Sequence, residues 1–398
     1  MVGLVLTVLA VASLAAWIVL LFGRGGFWRA DQRLANETSG VGGASGVVAV
    51  IPARNEAGTI ARTIASLRAQ DAVGGIGIVV VDDGSDDGTG ELARAAGEGD
   101  PDVVVIDGLP LAAGWTGKLW AMNQGVAEAA RRWPDARYLL LTDADIEHGP
   151  DVVAALIAKA ESEVRDLVSL MVLLRCRTFW ERLLIPPFVF FFQKLYPFPR
   201  VNDPRRPEAA AAGGCMLVRR EALEQAGGLS AIRDRLIDDC ALAAQIKTRG
   251  SIWLGLTTTS ASLRTYDRLS EVWRMVARTA YTQLDYRPAN LLGTALGMTV
   301  LYLVPPLAVV FGAIAGEAVT AAAGGLTWIV MMGTFVPTLR LYGQATGWAI
   351  ALPLAALLYT AMTIDSARQH HLGRGGAWKG RTYAAAPTVA GDAGEDVV

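Results

Sequence analysis

Four short carboxylate-bearing segments hold the residues of this chain whose types and spacing suit chemistry. Arg54-Asn55-Glu56, Asp82-Asp83-Gly84-Ser85 and Asp143-Ala144-Asp145 each follow an apolar run, and Asp238-Asp239 precedes a short helical stretch at 240–247. Two carboxylates two residues apart, just past a strand end, can hold one hard divalent ion and leave positions open for diphosphate oxygens. That suits Mg²⁺ or Mn²⁺. The same residue types also serve turns and helix caps, and Asp238-Asp239 would cap the 240–247 helix. The chain has three histidines, His148, His370 and His371, and two of them lie in its last thirty residues. A Ser-His-Asp site or a three-His metal site is therefore excluded from the central part. Cys176, Cys215 and Cys240 are odd in number and lack CxxC spacing, against a disulfide scaffold or a zinc cluster. Chemistry here must run on carboxylates, backbone amides, Lys and Arg.

The elements that would position these residues alternate between strand and helix. Strands are expected at 47–51 (ended by Pro52), 76–81, 103–106, 138–141 and 167–174. Helices are expected at 59–70, from about Asp87, at 118–132 and after Pro150. Near-continuous apolar strands alternating with helices argue a parallel sheet covered on both faces. A ligand then sits beyond the carboxyl ends of the strands, where the first three acidic segments stand. An acidic crevice of that kind is costly unless a cation or hydrogen-bond donors occupy it.

Composition places this unit at a membrane. The 398 residues carry 74 charged side chains, but residues 1–23 carry none and 288–364 carry only Glu317 and Arg340. The remaining 298 residues are 24% charged, an ordinary soluble value. Residues 2–22 form an apolar run of the ~20 residues that a bilayer core requires. A cleaved signal peptide would want basic residues before the run; here Arg24, Arg29 and Arg33 follow it. The positive-inside rule then puts the N-terminus outside and the following domain in the cytoplasm. Three further spans are expected at 295–314, 318–339 and 344–364, with Pro305, Pro306, Pro337 and Pro353 as kinks. Three spans would leave the tail outside, yet the tail carries Arg368, Arg374, Lys379 and Arg381. Either one segment is re-entrant or interfacial, or the charge rule fails here. The net charge of −2 marks no binder of nucleic acid or other polyanions.

The run Ile51-Pro52-Ala53-Arg54-Asn55-Glu56, then Val81-Asp82-Asp83-Gly84-Ser85, Gly117-Lys118 with Asn123, and Asp143-Ala144-Asp145 resembles a family 2 glycosyltransferase. The similarity continues through Gly213-Gly214-Cys215-Met216-Leu217-Val218-Arg219-Arg220 to Gly227-Gly228. The membrane ends and Gly114-Trp115-Thr116-Gly117-Lys118-Leu119-Trp120-Ala121 resemble, more narrowly, the hopanoid (hopene)-associated glycosyltransferases. The resemblance implies an α/β GT-A fold, a Rossmann-like mixed sheet, in a cytoplasmic domain with one N-terminal and about three C-terminal transmembrane helices. The expected layout is a first membrane helix at 1–23, the GT-A domain at 40–285, membrane helices at 291–365 and a basic, then disordered, tail at 366–398.

It also implies roles. Pro52, Arg54, Glu56, Asp82, Asp83, Lys118 and Asp143 would bind a nucleotide-sugar donor. Asp143 and Asp145 would hold a divalent cation. Asp239 would be the catalytic base, with Gly213, Gly214, Asp238 and Arg278 on the acceptor side. Relatives that extend polymers carry Gln/Arg-x-x-Arg-Trp near the membrane; here Tyr281-Thr282 replaces Arg-Trp after Arg278, which argues against processive synthesis. The expected activity is transfer of one sugar from a nucleotide-diphosphate sugar to a lipid acceptor, a polyprenyl phosphate or hopanoid-type alcohol, at the inner (plasma) membrane. The alternatives are a non-catalytic GT-A-like membrane module in a lipid-biosynthesis complex, or a polysaccharide synthase. A nucleotidyltransferase would want a glycine-rich basic loop where Arg54-Asn55-Glu56-Ala57 stands. Gly114–Lys118 fails as a P-loop, with Ala112 five before Gly117 and Leu119 in place of Ser or Thr. The aromatic stretch 183–198 is either core or an interfacial helix that guides a lipid.

Overall fold

The computed structural model describes residues 2–34, 46–71, 75–373, 377–378 and 381–382. The expected domain start at residue 40, and Arg374 and Lys379 of the expected tail, lie outside the described residues. Eight strands form one sheet: β1 (Val47–Ala53), β2 (Gly77–Asp82), β3 (Val103–Asp107), β4 (Tyr138–Thr142), β5 (Ile146–His148), β6 (Leu167–Leu173), β7 (Cys215–Arg219) and β8 (Ile252–Ser262). Their order is β3-β2-β1-β4-β7-β6-β8-β5.

β3, β2, β1 and β4 run parallel. β7 is antiparallel to both β4 and β6, and β5 is antiparallel to β8. The sheet is therefore mixed, which corrects the parallel sheet argued from the apolar runs. Burial on both faces makes a strand apolar whichever way it points, so Cys215–Arg219 reads from sequence like its parallel neighbours. β5 and β8 had not been expected; the second half of β8, Thr257 to Ser262, is too polar to stand out as a strand.

β1 is buried at all seven positions. Its alternate side chains go to opposite layers, as a period of two requires. Ala49, Ile51 and Ala53 meet Ile60, Ile64 and Leu67 of the helix Ile60–Arg68. Val48 and Val50 meet Leu119 and Met122 of the helix Gly117–Arg132. Each fully buried aliphatic chain contributes about 1.5–3 kcal/mol. A Cβ on Gly125 would lie 2.5 Å from Val50 Cγ1, so this helix packs on β1 at a distance that only glycine allows. β1 also runs past Pro52, where it was expected to stop. β4 pairs with β1 only as far as Val50, so at Pro52 one side of the strand is already open and tolerates the missing N–H.

Among the described residues, four helices are long and apolar enough to cross a membrane: Val2–Gly23, Pro288–Ala315, Ala318–Leu341 and Thr346–His371. Their outward faces carry exposed Leu4, Val8, Leu296, Ile314 and Ile329, a belt that water would penalise and lipid would not. Pro305-Pro306 removes two donors from the second helix, and the chain adapts through a π-helical segment at Thr299–Leu303. Gly312 and Gly324 let the second and third helices approach closely: added Cβ atoms would lie 2.6 Å from Ala321 N and Pro305 O.

Between the sheet and these helices lies the helix Phe179–Leu195, opened by a capping box of Thr178 and Glu181. Glu181 is fully buried and also accepts from Tyr266 N at 2.9 Å, tying this helix to the segment after β8. Burial opposes its charge, but the backbone N–H groups of Thr178, Tyr266 and Arg177 hold its carboxyl below the usual range. Phe190, at the centre of the aromatic stretch, is 0% exposed and packs against Phe27 and Phe335. For Phe190 the core alternative therefore applies; an interfacial lipid guide would need an accessible ring.

Candidate active site

The ends of β1, β2 and β4 stand side by side because the three strands are neighbours in register, Val50 facing both Val79 and Leu141. The loop after β1 is stitched to the loop after β2. Asn55 N donates to Ser85 Oγ at 3.0 Å, Glu56 N to Thr89 Oγ1 at 2.8 Å and Ala57 N to Asp87 Oδ2 at 3.0 Å. Arg54 donates to the carbonyls of Asp83 and Gly84 and lies 3.9 Å from the Asp83 carboxylate. Arg54 and Glu56 are thereby held over a cavity of about 400 Å³.

The cavity collects Pro52, Arg54, Glu56, Lys118, Asp143, Asp145, Gly213, Gly214, Asp238, Asp239 and Arg278 from the sequence-derived set. Asp82 and Asp83 do not line it. Asp82 Oδ1 accepts from Ser85 N at 3.1 Å and Ser85 Oγ at 2.5 Å, closing the turn. Asp83 is only 2% exposed, beneath Arg54. In this geometry Asp82 shapes the turn and Asp83 holds Arg54.

Lys118, one residue into the helix Gly117–Arg132, is the hub. Its Nζ lies 2.9 Å from Asp143 Oδ1 and 3.1 Å from Asp238 Oδ2. Burial disfavours its charge, but Asp143, Asp238 and Asp239 outweigh that and raise its pKa. For Asp143 burial is the larger influence and Asp145 adds to it, so its carboxyl is raised despite Lys118.

Asp238 and Asp239 form the first turn of the helix Asp238–Lys247, inside the helix rather than capping it, where the helix dipole favours carboxylates. Asp239 Oδ2 accepts from Gly213 N at 2.9 Å and Oδ1 from Cys240 N at 2.7 Å. Burial, reinforced by the Asp238 carboxylate, pushes its pKa up to about 6. A Cβ on Gly213 would press on Lys118 Nζ at 3.2 Å and Asp239 Oδ2 at 3.4 Å, so this glycine makes room for both groups.

Arg264 escaped the sequence reading. It follows β8 and bridges two of the acidic segments: Nε is 2.9 Å from Asp145 Oδ2 and Nη2 is 2.6 Å from Glu56 Oε1. A predicted strand over 252–262 would have pointed to it, since Arg264 stands just past that strand's end. His148 is buried between Thr142 and Ser260, each 3.0 Å from a ring nitrogen. Burial drops its pKa to about 4, so it is a neutral core residue outside the cavity.

Among the described residues no group of three or more His, Cys, Asp or Glu is arranged to hold a metal by itself. The pair Asp143 and Asp145 nonetheless fits a hard divalent cation shared with phosphate. Both offer oxygen donors into the cavity, and a divalent ion would offset both the burial that chiefly raises the Asp143 carboxyl and the smaller repulsion from Asp145.

Residues 48–227 match the sequence profile of Glycosyl transferase family 2. No curated protein matches the chain by sequence. Among solved structures, the mannosyltransferase PcManGT from Pyrobaculum calidifontis, in complex with GDP-Man and Mn²⁺, is 19% identical with a TM-score of 0.53, over 88% of this chain and 99% of that one. Residues 1–349 of S. aureus TarS, in complex with UDP-GlcNAc, align at 14% identity and a TM-score of 0.41, over 83% of this chain and 92% of that one. Glucosyl-3-phosphoglycerate synthase from Mycobacterium tuberculosis aligns at 22% identity and a TM-score of 0.39, over 60% and 79%. The likeness to the first is one of fold.

Proposed function

We propose that the chain, whose residues 48–227 match the Glycosyl transferase family 2 profile on a GT-A fold, transfers one sugar, with inversion, from a nucleotide-diphosphate sugar to a lipid acceptor at the membrane surface. The observation that carries this reading is the seating of Asp239. Two backbone N–H groups fix its carboxylate, and Lys118 links Asp238 to Asp143 across the same cavity.

In this reaction the acceptor hydroxyl oxygen attacks the anomeric carbon and forms the new C–O bond. The bond from that carbon to the diphosphate oxygen breaks, and its electron pair leaves with the nucleoside diphosphate. Asp239, with a proton affinity matched to near-neutral pH, takes the hydroxyl proton. Arg54 and Glu56 orient the donor, and Lys118 faces the charge growing on the leaving group. Asp143 and Asp145 would hold Mg²⁺ or Mn²⁺, which neutralises diphosphate charge when bound.

The lipid acceptor is supported by the far wall of the cavity. Leu174, Phe188, Phe192 and Met275 make it apolar. Phe188 and Phe192 belong to the helix Phe179–Leu195 and Met275 to the helix Leu269–Ala277. Both helices rest on the last apolar helix through Leu183, Leu184, Val272 and Val276 against Ala355, Tyr359 and Met362. A polyprenyl phosphate or hopanoid-type alcohol suits such a wall. A cytoplasmic placement of the domain, proposed here at the inner membrane, is supported by Arg24, Arg29 and Arg33 after the first span. Arg24 also donates to the carbonyls of Lys194 and Leu195, at the C-terminal end of the Phe179–Leu195 helix.

The test is a donor panel on the purified full chain, measuring nucleoside diphosphate release with and without membrane lipid extract. The expected result is release from one donor, stimulated by lipid, with labelled sugar moving into the organic phase. Label retained on a small aqueous product, or in a high-mass polymer, overturns the acceptor assignment.

A further inference from the structure

All four apolar helices are long enough to span a bilayer, but their contacts divide them. The first three run between two levels. At the far level Thr7 and Thr320 hydroxyls lie 2.5 Å apart, and Ala10 packs with Val304 and Ala308. At the near level Gly23 O accepts from Arg200 at 2.5 Å, Asn290 donates to Leu284 O, and Tyr342 is buried in the core of the sheet domain.

The last helix keeps to the domain-side half of the bundle: its first residues, Ala349, Leu352 and Ala356, pack with Trp17, Tyr302, Met331 and Phe335, and its middle and end meet the domain. Around its start, Gln344 donates to Cys176 O at 3.2 Å, and the Trp348 ring lies tilted against Phe179 with centroids 5.8 Å apart. In its middle, Tyr359 donates to Leu184 O at 2.8 Å. At its end, Asp365 accepts from Trp273 Nε1 at 2.8 Å, Ser366 Oγ accepts from Tyr281 N at 3.0 Å, and His370 stacks on Tyr286 at 4.4 Å. A helix whose two ends and middle all touch the same domain does not cross away from it.

Its two faces agree. Ala355, Tyr359, Met362 and Ser366 point to the domain and are buried. Leu354, Leu357 and Ile364, on the opposite side, are 47%, 47% and 49% exposed. We propose that residues 346–371 form an in-plane helix embedded in the domain-side leaflet, with the Leu354–Leu357–Ile364 face against lipid acyl chains. The chain then crosses three times, and its basic tail ends on the same side as Arg24, Arg29 and Arg33. This removes the conflict between span parity and tail charge. The helix also forms the floor under Phe179–Leu195 and Leu269–Ala277, so the cavity's apolar wall lies one helix layer from the acyl region. The proposal rests on packing alone and stands whatever donor or acceptor the cavity takes.

Two measurements test it. Green fluorescent protein and alkaline phosphatase, each fused to the C-terminus of the full chain, report the side of the tail. Fluorescence without phosphatase activity is expected, and active phosphatase overturns the proposal. Spin labels at Leu354→Cys, Leu357→Cys and Ile364→Cys, with the three native cysteines replaced by Ala, then report depth in vesicles of phosphatidylethanolamine and phosphatidylglycerol. At 1.5 Å per residue, a crossing helix would separate positions 354 and 364 by about 15 Å in depth. An in-plane helix keeps them within a few ångströms. A depth gradient approaching the crossing value refutes the in-plane helix, even where the fusions fail to express.

Discussion

Asp239→Asn separates catalysis from binding and stability in opposite directions. As general base the carboxylate contributes about 10²–10⁴-fold to turnover. The amide retains the shape, so donor affinity stays near wild type. The stability effect follows from proton affinity. A carboxyl raised from 3.8 to about 6 costs the ionised folded state about 3 kcal/mol at neutral pH. Asparagine keeps one acceptor oxygen for one of the two N–H groups of Gly213 and Cys240, and loses the other bond, at about 1 kcal/mol. The variant is therefore more stable by about 1–2 kcal/mol.

The sign is fixed by linkage: the folded state binds this proton more tightly than the unfolded chain. Wild-type stability thus falls as pH rises from about 4 to about 6, and the variant lacks that slope. The same group makes wild-type kcat/KM, which reports the free enzyme, rise with pH through about 6. The assays are single-turnover rate, calorimetry of donor binding, and thermal unfolding at pH 5 and pH 7.5. A variant within tenfold of wild-type activity, one whose donor affinity falls as far as its rate, or one that keeps the pH slope of stability refutes the assignment.

Asp145→Ala removes the dependence on Mn²⁺ or Mg²⁺ together with activity, and nucleoside diphosphate affinity no longer responds to chelator; a wild type fully active in chelator sinks the metal site. Arg264→Gln frees Asp145 of its guanidinium and binds Mn²⁺ without nucleotide about tenfold tighter than wild type, whereas Arg264→Lys returns towards the wild-type value. Equal Mn²⁺ titrations for the three proteins, followed by electron paramagnetic resonance, would exclude competition at that carboxylate. Phe188→Ser raises the acceptor KM and spares donor hydrolysis, because its ring lines the cavity. Phe190→Ser instead destabilises the fold by about 3–5 kcal/mol, as core aromatic deletions do; equal melting losses for both variants would place Phe188 in the core as well.

Composition and local order carry one part of this architecture. Charge-free stretches mark the apolar helices because desolvating charge is too costly for lipid contact. Glu56, Asp143 and Asp145 were readable because each follows an apolar run that ends where its strand leaves the core, and the cavity does collect them. The tertiary structure decided what depends on partners. β7 could point either way with the same buried residues, and only its pairing with β4 and β6 sets the direction. Asp82 and Asp143 look alike in sequence; Ser85 draws one into a turn, while Lys118 draws the other into the cavity. Arg264 meets Glu56 from 208 positions away, a contact no local pattern encodes. Phe190 and the last apolar helix make the same point about hydrophobic side chains. Their residue types call for burial or lipid in equal measure, and only the surfaces packed against them decide which.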